Sequence, residues 1–231
     1  SSPPPTATEI IEWVAGQVGL SPSELDTSEM DALTVWGLVL GSVGSALGAI
    51  QPLLDFFFVD IVEEDGLIRF RRKGTSAIAA YLTEAENLGA SQNNASGEPS
   101  LACEVAAEDE LPLFADLKFV DYENEFKPGL VVCRRRPSMT HSAERFSIET
   151  ALAVDESQAQ ESVGMALSLA WTQRLKYAFK VGDAFMWLSP ADVIQVTRNN
   201  GDVLRLRLMS TTQGDGIIEC SAVPDNPLDI P

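Results

Sequence analysis

The sequence predicts an α+β protein in which a helix-on-hairpin α+β unit precedes a β-rich, barrel-like unit with one long helix. Two observations lead to this fold class. Between Ser42 and Arg72 the apolar residues first recur every three to four positions and then every second position, which indicates a helix followed by a β-hairpin. After residue 101, many short alternating segments are separated by turn residues, and one long helical pattern interrupts them.

The same patterns divide the chain along its length. Residues 1–5 are rich in proline and predict an extended linker, whereas residues 6–90 form the predicted α+β unit and residues 101–223 the β-rich unit. Residues 91–100 contain Gly, Ser, Asn and Pro and almost no core-forming side chains, so they predict an exposed loop or domain boundary. Residues 224–231 are expected to be a tail or a linker to a missing domain, since both ends look cut from a longer polypeptide.

Charge and cysteine content limit the function classes. The chain has 231 residues with 34 acidic and 16 basic side chains, a net charge of −18. Such a surface repels nucleic acids and anionic membranes, and the run Arg134–Arg136 is too short to reverse this. The three cysteines are widely spaced and form no CxxC pattern, so neither a zinc site nor a disulfide framework is predicted. No apolar run reaches the roughly 18 residues that span a bilayer, so no membrane anchor is predicted.

The first predicted helix follows Thr6, which forms a capping-box pattern with Glu9. Its apolar face is expected to contain Ile10, Trp13, Val14 and Val18. Gly19 suits the C-terminal cap, and Pro22 predicts a short helical turn. Residues 31–40 predict a strand or a buried loop.

The second predicted helix begins at Ser42, which can cap it. Its apolar face is expected to contain Val43, Leu47, Ile50, Leu54 and Phe57. Pro52 lies inside this pattern and is expected to kink the helix or to end its first segment.

The hairpin that follows is predicted from Asp65-Gly66, because a type I′ turn needs positive φ at both central residues. Pairing about this turn sets three cross-strand pairs, Ile61 with Phe70, Glu63 with Ile68, and Asp60 with Arg71. A helix packed over Ile61, Ile68 and Phe70 would close the core of the α+β unit together with Leu54 and Phe57.

The second half is predicted to contain many short strands and one helix. Pro128 and Gly129 predict a type II turn between two strands, and Asn200 with Gly201 predicts a hairpin turn between two others. The helix is predicted over residues 155–176, with a capping box at its start and Trp171 on its buried face. The predicted strands of this half cover residues 101–105, 117–122, 130–134, 144–150, 177–181, 193–197, 203–209 and 216–223. One further strand, over residues 77–82, is predicted after the hairpin in the first half.

No catalytic pattern is visible in the sequence. A Ser-His-acid triad would have to use His141, the single histidine, and no nucleophile is singled out. A pair of carboxylates could cleave a glycosidic bond, with candidates Glu108, Asp109, Glu110, Asp121, Glu123 and Glu125. In a chain of this net charge such clusters arise freely, so a solvated acidic face is the simpler interpretation. We therefore predict no catalytic, cofactor-binding or metal-binding residues, and no enzyme.

Several segments, in their order along the chain, resemble the putative phage tail protein family. Pro52 to Phe58 followed by Glu64 to Phe70 looks like its helix-to-hairpin core, and Glu110-Leu111-Pro112 is similar to the segment before its next strand. Residues 119–121 and 125–129 resemble its pattern of an aromatic residue with Asp, then an acid, an aromatic residue and Pro-Gly. The family usually has Tyr where Phe119 and Phe126 stand.

The resemblance continues to the end of the second half. The helix from Ala159 to Trp171 and the segment Leu188-Ser189-Pro190-Ala191-Asp192-Val193-Ile194 look like the family's helix and its Leu-x-Pro-Gly-Asp-Val-Val strand entry. Ala191 replaces the usual Gly, which puts the turn at that point in question. In total the resemblance covers residues 6 to 223.

The resemblance implies a structural protein of the baseplate hub or tail tip of tailed bacteriophages and gene transfer agents. Hub proteins of this kind assemble as a homotrimer around the tail axis, through which DNA passes without specific binding. The implied partners are the distal tail ring, the tape measure and the tail fibre, and the implied location is the virion after assembly in the host cytoplasm. Some of the excess acid would then line an axial channel, with Glu108 to Glu125 as the stretch to test; the alternative is that the charge is spread over the outside and keeps the protein soluble. Two alternatives stay open: a peptidoglycan-degrading tail enzyme and a host-surface binding module.

Overall fold

The structure is a computed structural model that describes residues 3–39, 45–88, 99–108, 111–135 and 142–225. Over these residues the chain forms three α-helices and 13 strands in three sheets, so the predicted α+β class is confirmed. None of these sheets closes into a barrel within the described part of the chain.

The chain divides into two compact units. The described residues of unit 1 fall in Ser1–Lys73 and Asp109–Leu169, and those of unit 2 fall in Gly74–Glu108 and Ala170–Pro227. Each unit therefore contains residues from the predicted α+β unit, residues 6–90, and from the predicted β-rich unit, residues 101–223. The loop predicted at residues 91–100 lies outside the described residues except for its last two positions.

The three-stranded sheet of unit 1 is built on the predicted hairpin. Its order is β1 (Leu25–Asp26), β4 (Leu67–Arg72) and β3 (Val59–Glu64). The hairpin has the predicted register in all three pairs, and its turn residues Asp65 and Gly66 have φ of 53° and 76°, as a type I′ turn requires.

The helices α1 (Ala7–Gln17) and α2 (Ala46–Phe57) contact each other in unit 1. The capping box of α1 has the predicted form, because the side chains of Thr6 and Glu9 each accept the other residue's backbone N–H. The buried face of α1 differs from the prediction and consists of Ala7, Ile11, Val14 and Ala15. Of the predicted residues, Val14 is buried and Ile10 is half-buried, whereas Trp13 and Val18 are exposed, because residues 7, 11, 14 and 15 occupy the side of the helix that faces the core.

The start of α2 also differs from the prediction. Its N-cap is Ser45, whose Oγ accepts the Gly48 N–H at 3.1 Å, whereas Ser42 and Val43 lie outside the described residues. Pro52 lies inside one continuous helix. Leu47 is exposed, and the buried face contains Ala49, Ile50, Leu53, Leu54, Phe56 and Phe57.

The four-stranded sheet of unit 1 has the order β2 (Gly37–Leu38), β9 (Arg145–Val154), β7 (Phe114–Asp121) and β8 (Lys127–Arg134). The predicted type II turn at Pro128 and Gly129 is wrong, because both residues lie within β8 and the turn precedes it. β8 is an edge strand, where a proline that lacks an N–H is tolerated. Gly129 faces the Phe119 ring, and a Cβ at this position would lie 2.6 Å from it.

The long helix α3 (Glu156–Thr172) starts at the predicted capping box, in which the Gln158 N–H donates to the Asp155 carboxylate at 2.8 Å. It ends four residues earlier than predicted. Leu175 begins a strand instead, because Tyr177, Phe179 and Val181 alternate into the core of unit 2. Pairing with two neighbouring strands therefore overrides the local helical pattern.

Unit 2 contains an open six-stranded sheet. Its order is β5 (Ile78–Thr83), β11 (Val193–Thr197), β12 (Val203–Gly214), β13 (Ile217–Pro224), β10 (Leu175–Gly182) and β6 (Leu101–Val105). Asn200 and Gly201 lie in the hairpin turn between β11 and β12, where Gly201 has φ of 89°. The predicted barrel-like arrangement is therefore wrong, because this sheet is open and has β5 and β6 as its edge strands.

Most of the residues that were predicted to form the structural core are buried. Leu54, Phe57, Phe70 and Trp171 are buried. The hairpin residues Ile61 and Ile68 are half-buried. In the described part of the chain, no helix has both the length and the apolar character needed to cross a bilayer.

Candidate functional site

Two of the acidic residues proposed as carboxylate pairs, Asp121 and Glu125, have identifiable roles in the turn between β7 and β8, whereas Glu108 and Glu123 are exposed. The Asp121 carboxylate accepts the N–H groups of Glu123 and Asn124 at 3.0 and 3.2 Å. Glu125 forms an exposed ion pair with Lys127 at 3.2 Å. Asp121 therefore stabilises this turn. Asp109, Glu110 and His141 lie outside the described residues.

The thiols of Cys133 and Cys220 are poorly suited to nucleophilic chemistry, whereas Cys103 is exposed. All three are free, and burial raises the pKa of the Cys220 thiol to about 11 and also raises the pKa of Cys133. A protonated thiol is a weak nucleophile and a weak metal ligand. Among the residues that the structure describes, no three His, Cys, Asp or Glu side chains are grouped to hold a metal ion.

A small pocket of about 180 Å³ lies in unit 1 beside α2 and α3. The Arg72 guanidinium and the Glu161 carboxylate contribute its charged lining. Burial lowers the pKa of Arg72, and the nearby charges of Glu161 and Glu29 oppose that shift. The Glu29 carboxylate accepts the backbone N–H of Arg72 at 2.6 Å, so it links β4 to the loop that follows β1.

A larger groove of about 400 Å³ lies on one face of the four-stranded sheet in unit 1. We call this the outer face, because Ala115, Leu117 and Phe119 of β7 are buried on the opposite one. The groove is lined by apolar and charged side chains from β7, β8 and β9, among them Val120, Phe126, Pro128, Leu130, Lys118 and Glu149. It can therefore take an apolar group with a polar or charged rim.

Phe126 stands at this groove in a strained backbone conformation. Glu125 and Phe126 have φ of 56° and 59°, in the left-handed region that costs a non-glycine residue about 1–2 kcal/mol. The Phe126 ring is 57% exposed and packs edge-to-face on Tyr122, which in turn stacks on Trp36 at 3.8 Å. Strain of this kind concentrates at functional positions, so the turn marks the groove as a candidate site.

The edge strand β8 extends the apolar character of the outer face. Leu130 is 60% exposed, and Val132 is exposed on the same side. At the far end of the strand, the guanidinium groups of Arg134 and Arg145 lie over the Phe114 ring at 5.3 and 5.8 Å. A long edge strand with exposed apolar side chains is a surface that favours association.

The sequence matches the putative phage tail protein family over residues 45–211, which is more than half of the chain. The chain belongs to this family. It is therefore a structural protein of phage-type tails. No curated protein matches the sequence.

A solved virion of a native gene transfer agent contains a chain similar to this one, with 26% identity and a TM-score of 0.78. The match covers 94% of this chain and 46% of that one, so the tail protein spans about half the length of this relative.

Two crystal structures share the fold. One is a tail protein from Neisseria meningitidis MC58, with 12% identity and a TM-score of 0.62; the match covers 96% of this chain and 68% of that one. The other is the 43 kDa tail protein of prophage MuSo2 from Shewanella oneidensis, with 11% identity and a TM-score of 0.63; the match covers 97% of this chain and 67% of that one.

The family's strand-entry motif explains the turn that the sequence put in question. Ala191 has φ of 70°, the left-handed conformation that glycine adopts without strain. Its N–H donates to the Leu208 carbonyl at 2.8 Å, and the Asp192 carboxylate accepts the Ser189 N–H at 2.9 Å. Alanine therefore stands at the family's usual glycine position in the backbone conformation that glycine adopts without strain.

Two features were missed from the sequence, one at the groove and one in unit 2. The alternation of Phe126, Pro128, Leu130 and Val132 is the signal of an apolar strand face, but Pro128-Gly129 was interpreted as a turn and obscured it. The dipeptide Asp215-Gly216 carries the same hairpin signal as the earlier Asp-Gly, and its φ angles of 49° and 75° fit the same turn type.

Proposed function

We propose that the chain is part of the baseplate hub at the tail tip, and that it assembles as a homotrimeric ring around the axis along which DNA leaves the particle. The observation that carries this proposal is the likeness to a chain of the gene transfer agent virion, which includes 94% of this chain. A protein at that position contacts other tail components. The proposed partners are the distal tail ring, the tape measure and the tail fibre, and the proposed location is the virion after assembly in the host cytoplasm.

The proposal assigns a structural and not an enzymatic role. Asp121, one of the candidate carboxylates, is used by backbone N–H groups of its own turn, which favours a structural role for that residue. Incubating the chain with purified cell walls separates this proposal from the peptidoglycan-degrading alternative. Binding to whole host cells separates it from the host-surface module.

Charge is consistent with a position beside moving DNA. Residues 1–68 contain 11 Asp and Glu and no Lys, Arg or His. An acidic wall releases no counterions from DNA phosphates and so offers no adhesion to a passing strand. Glu123 is exposed and is suited to a charge-reversal test, whereas Asp121→Lys would also remove the acceptor of two backbone N–H groups.

The experiment that tests the proposal is labelling of the chain in purified particles. We expect a gold-labelled tag at the end of the tail that is distant from the head, with three copies in each particle. Labels spread along the whole tail, or particles that lack the chain and still infect at the parental level, would contradict the hub assignment.

A further inference from the structure

We propose that the groove on the outer face receives Trp13 from a second copy of this chain, so that copies associate head to tail. The inference rests on the proposed homotrimeric ring and names the two surfaces that would meet at each contact. Both surfaces belong to unit 1.

Trp13 is available for such a contact. It is 59% exposed on α1, because Ile11, Val14 and Ala15 occupy the buried side of the helix. A tryptophan side chain carries about 150–250 Å² of surface, and tryptophan is enriched among the residues that dominate binding energy at interfaces. Glu9 and Glu12 precede Trp13 on the same helix, so the exposed indole has acidic neighbours.

The groove has the size and chemistry to hold an indole. Its volume of about 400 Å³ falls within the roughly 300–1,000 Å³ of pockets that bind small molecules. Phe126, Pro128 and Leu130 provide apolar walls, and the exposed Phe126 ring can pack edge-to-face against an incoming aromatic ring. The strained turn holds Phe126 in this position before any partner arrives, which lowers the ordering cost of binding.

The two surfaces also differ in charge. The stretch that contains α1, residues 1–68, has only acidic charges, whereas residues 111–150 carry six of the 16 basic side chains and six acidic ones. Lys118 lines the groove and Arg134 lies farther along the outer face, although Glu149 is the strand neighbour of Lys118. Strand pairing places Lys118, Arg134 and Arg145 on the outer face together with Asp116 and Glu149, so this face is close to neutral and attracts an acidic helix better than another acidic surface would.

Symmetric pairing of two β8 edges is less favourable. An antiparallel pair of these strands would bring Lys127 of one copy close to Arg134 of the other, and like charges opposite each other destabilise a sheet. A contact between two different surfaces is heterologous. Its repetition closes into a ring when the rotation between neighbouring copies returns to the first copy, and otherwise it gives an open filament.

The test compares the oligomeric state of the parent chain with that of two variants by sedimentation velocity over a range of concentrations. Trp13→Ala and Leu130→Glu each remove one side of the contact, and we expect each to weaken association at least about 30-fold, as for a residue that dominates an interface. Trp187→Ala is the matched control, since Trp187 is 52% exposed in unit 2 and should leave association unchanged. Trp13 and Leu130 are both exposed, so each variant should unfold at the parent's midpoint when the comparison is made at a protein concentration where the parent is monomeric, since association itself raises the apparent midpoint.

Mixing the two variants gives a sharper result. The Leu130→Glu chain keeps its tryptophan and the Trp13→Ala chain keeps its groove, so an equal mixture should form a one-to-one dimer that grows no further. A parent chain that stays monomeric, a mixture that forms no dimer, or variants that trimerise as the parent does would each overturn the inference. A monomeric parent that binds soluble peptidoglycan fragments through Leu130 would reassign the groove to a saccharide.

The outcomes separate this inference from the proposed function. If the parent trimerises and both variants do so equally well, the assigned surfaces are wrong while the ring stands. If the chain is absent from the tail tip of purified particles, the hub assignment fails whatever the mixing experiment shows.

Discussion

Replacing Asp225 by Asn is expected to destabilise unit 2 strongly, because this buried carboxylate faces two guanidinium groups. Its oxygens lie 3.3 Å from Nη2 of Arg205 and 3.8 Å from Nη1 of Arg207. It also accepts the Gly74 N–H at 2.9 Å. Asp225 is 4% exposed and Arg207 is 1% exposed, so water cannot replace the lost charge.

The magnitude follows from this burial. Removing one partner of a buried ion pair costs about 3–5 kcal/mol, because the remaining charge is left in a poorly solvated position. For a chain of this size each kcal/mol lowers the unfolding midpoint by about 2–4 °C, so we expect a decrease of roughly 6–20 °C. The hydrogen bond from Gly74 can still form with the Asn side-chain oxygen, so the charge is the main change.

The assay is thermal unfolding followed by circular dichroism, with Glu219→Gln as the control. Glu219 pairs with Lys180 at 2.9 Å, a shorter distance than either Asp225 pair, but both side chains are largely exposed. An exposed pair contributes at most about 1 kcal/mol. Equal shifts for the two variants, or no shift for Asp225→Asn, would refute the reasoning that burial and not distance sets the cost.

Four further changes test other parts of the structure by unfolding measurements. Phe70→Ala should cost about 3–5 kcal/mol, since Phe70 is buried in the hairpin, and an unchanged melt would contradict the helix-on-hairpin core. Gly129→Ala should cost about 1–3 kcal/mol, because the new Cβ would lie 2.6 Å from the Phe119 ring. Ala191→Gly should leave stability unchanged or raise it by about 1 kcal/mol, since it relieves a left-handed alanine. Glu84→Gln should reduce the loss of stability on acidification.

The sign for Glu84 follows from its partners. The Asn199 N–H and the Ser100 hydroxyl donate to its carboxylate, each at 2.9 Å, and these bonds lower its pKa in the folded state. A lowered folded pKa stabilises the protein above the unfolded pKa, which is near 4.5, and this stabilisation is lost as pH falls through the folded pKa. The parent should therefore lose more stability than Glu84→Gln below about pH 5.

Two control variants accompany the glycine predictions. Gly214→Ala should cause little change, because no atom lies within 4 Å of the added Cβ and its φ is not positive. Ala222→Gly should destabilise by about 1 kcal/mol, since Ala222 is a fully buried strand residue outside the left-handed region. If Ala191→Gly destabilised as much as Ala222→Gly, the strain at Ala191 would be absent.

The local elements were predictable where one short pattern decides the backbone. The register about Asp65-Gly66 follows from the turn type alone, and the capping boxes at Thr6 and Asp155 fix where two helices begin. The hairpin turn at Asn200-Gly201 was identified for the same reason. In each case the interactions that set the structure lie within a few residues.

The predictions from the sequence failed where contacts between distant segments decide the structure. Pro128-Gly129 has the composition of a turn, but pairing with β7 and the packing of Phe119 against Gly129 make it a strand. The end of α3 is likewise set by strand pairing of β10 with β13 and β6. The groove could not be predicted, because it combines side chains from three strands that are distant in the sequence.

The measurement that tests the central claim most directly is an electron cryomicroscopy reconstruction of the tail tip from particles that contain this chain, computed without imposed symmetry. We expect three copies of the two-unit fold around the tail axis, with DNA or its empty path through their centre. Density for the chain in a single copy beside the axis, or in a fibre away from the DNA path, would contradict it.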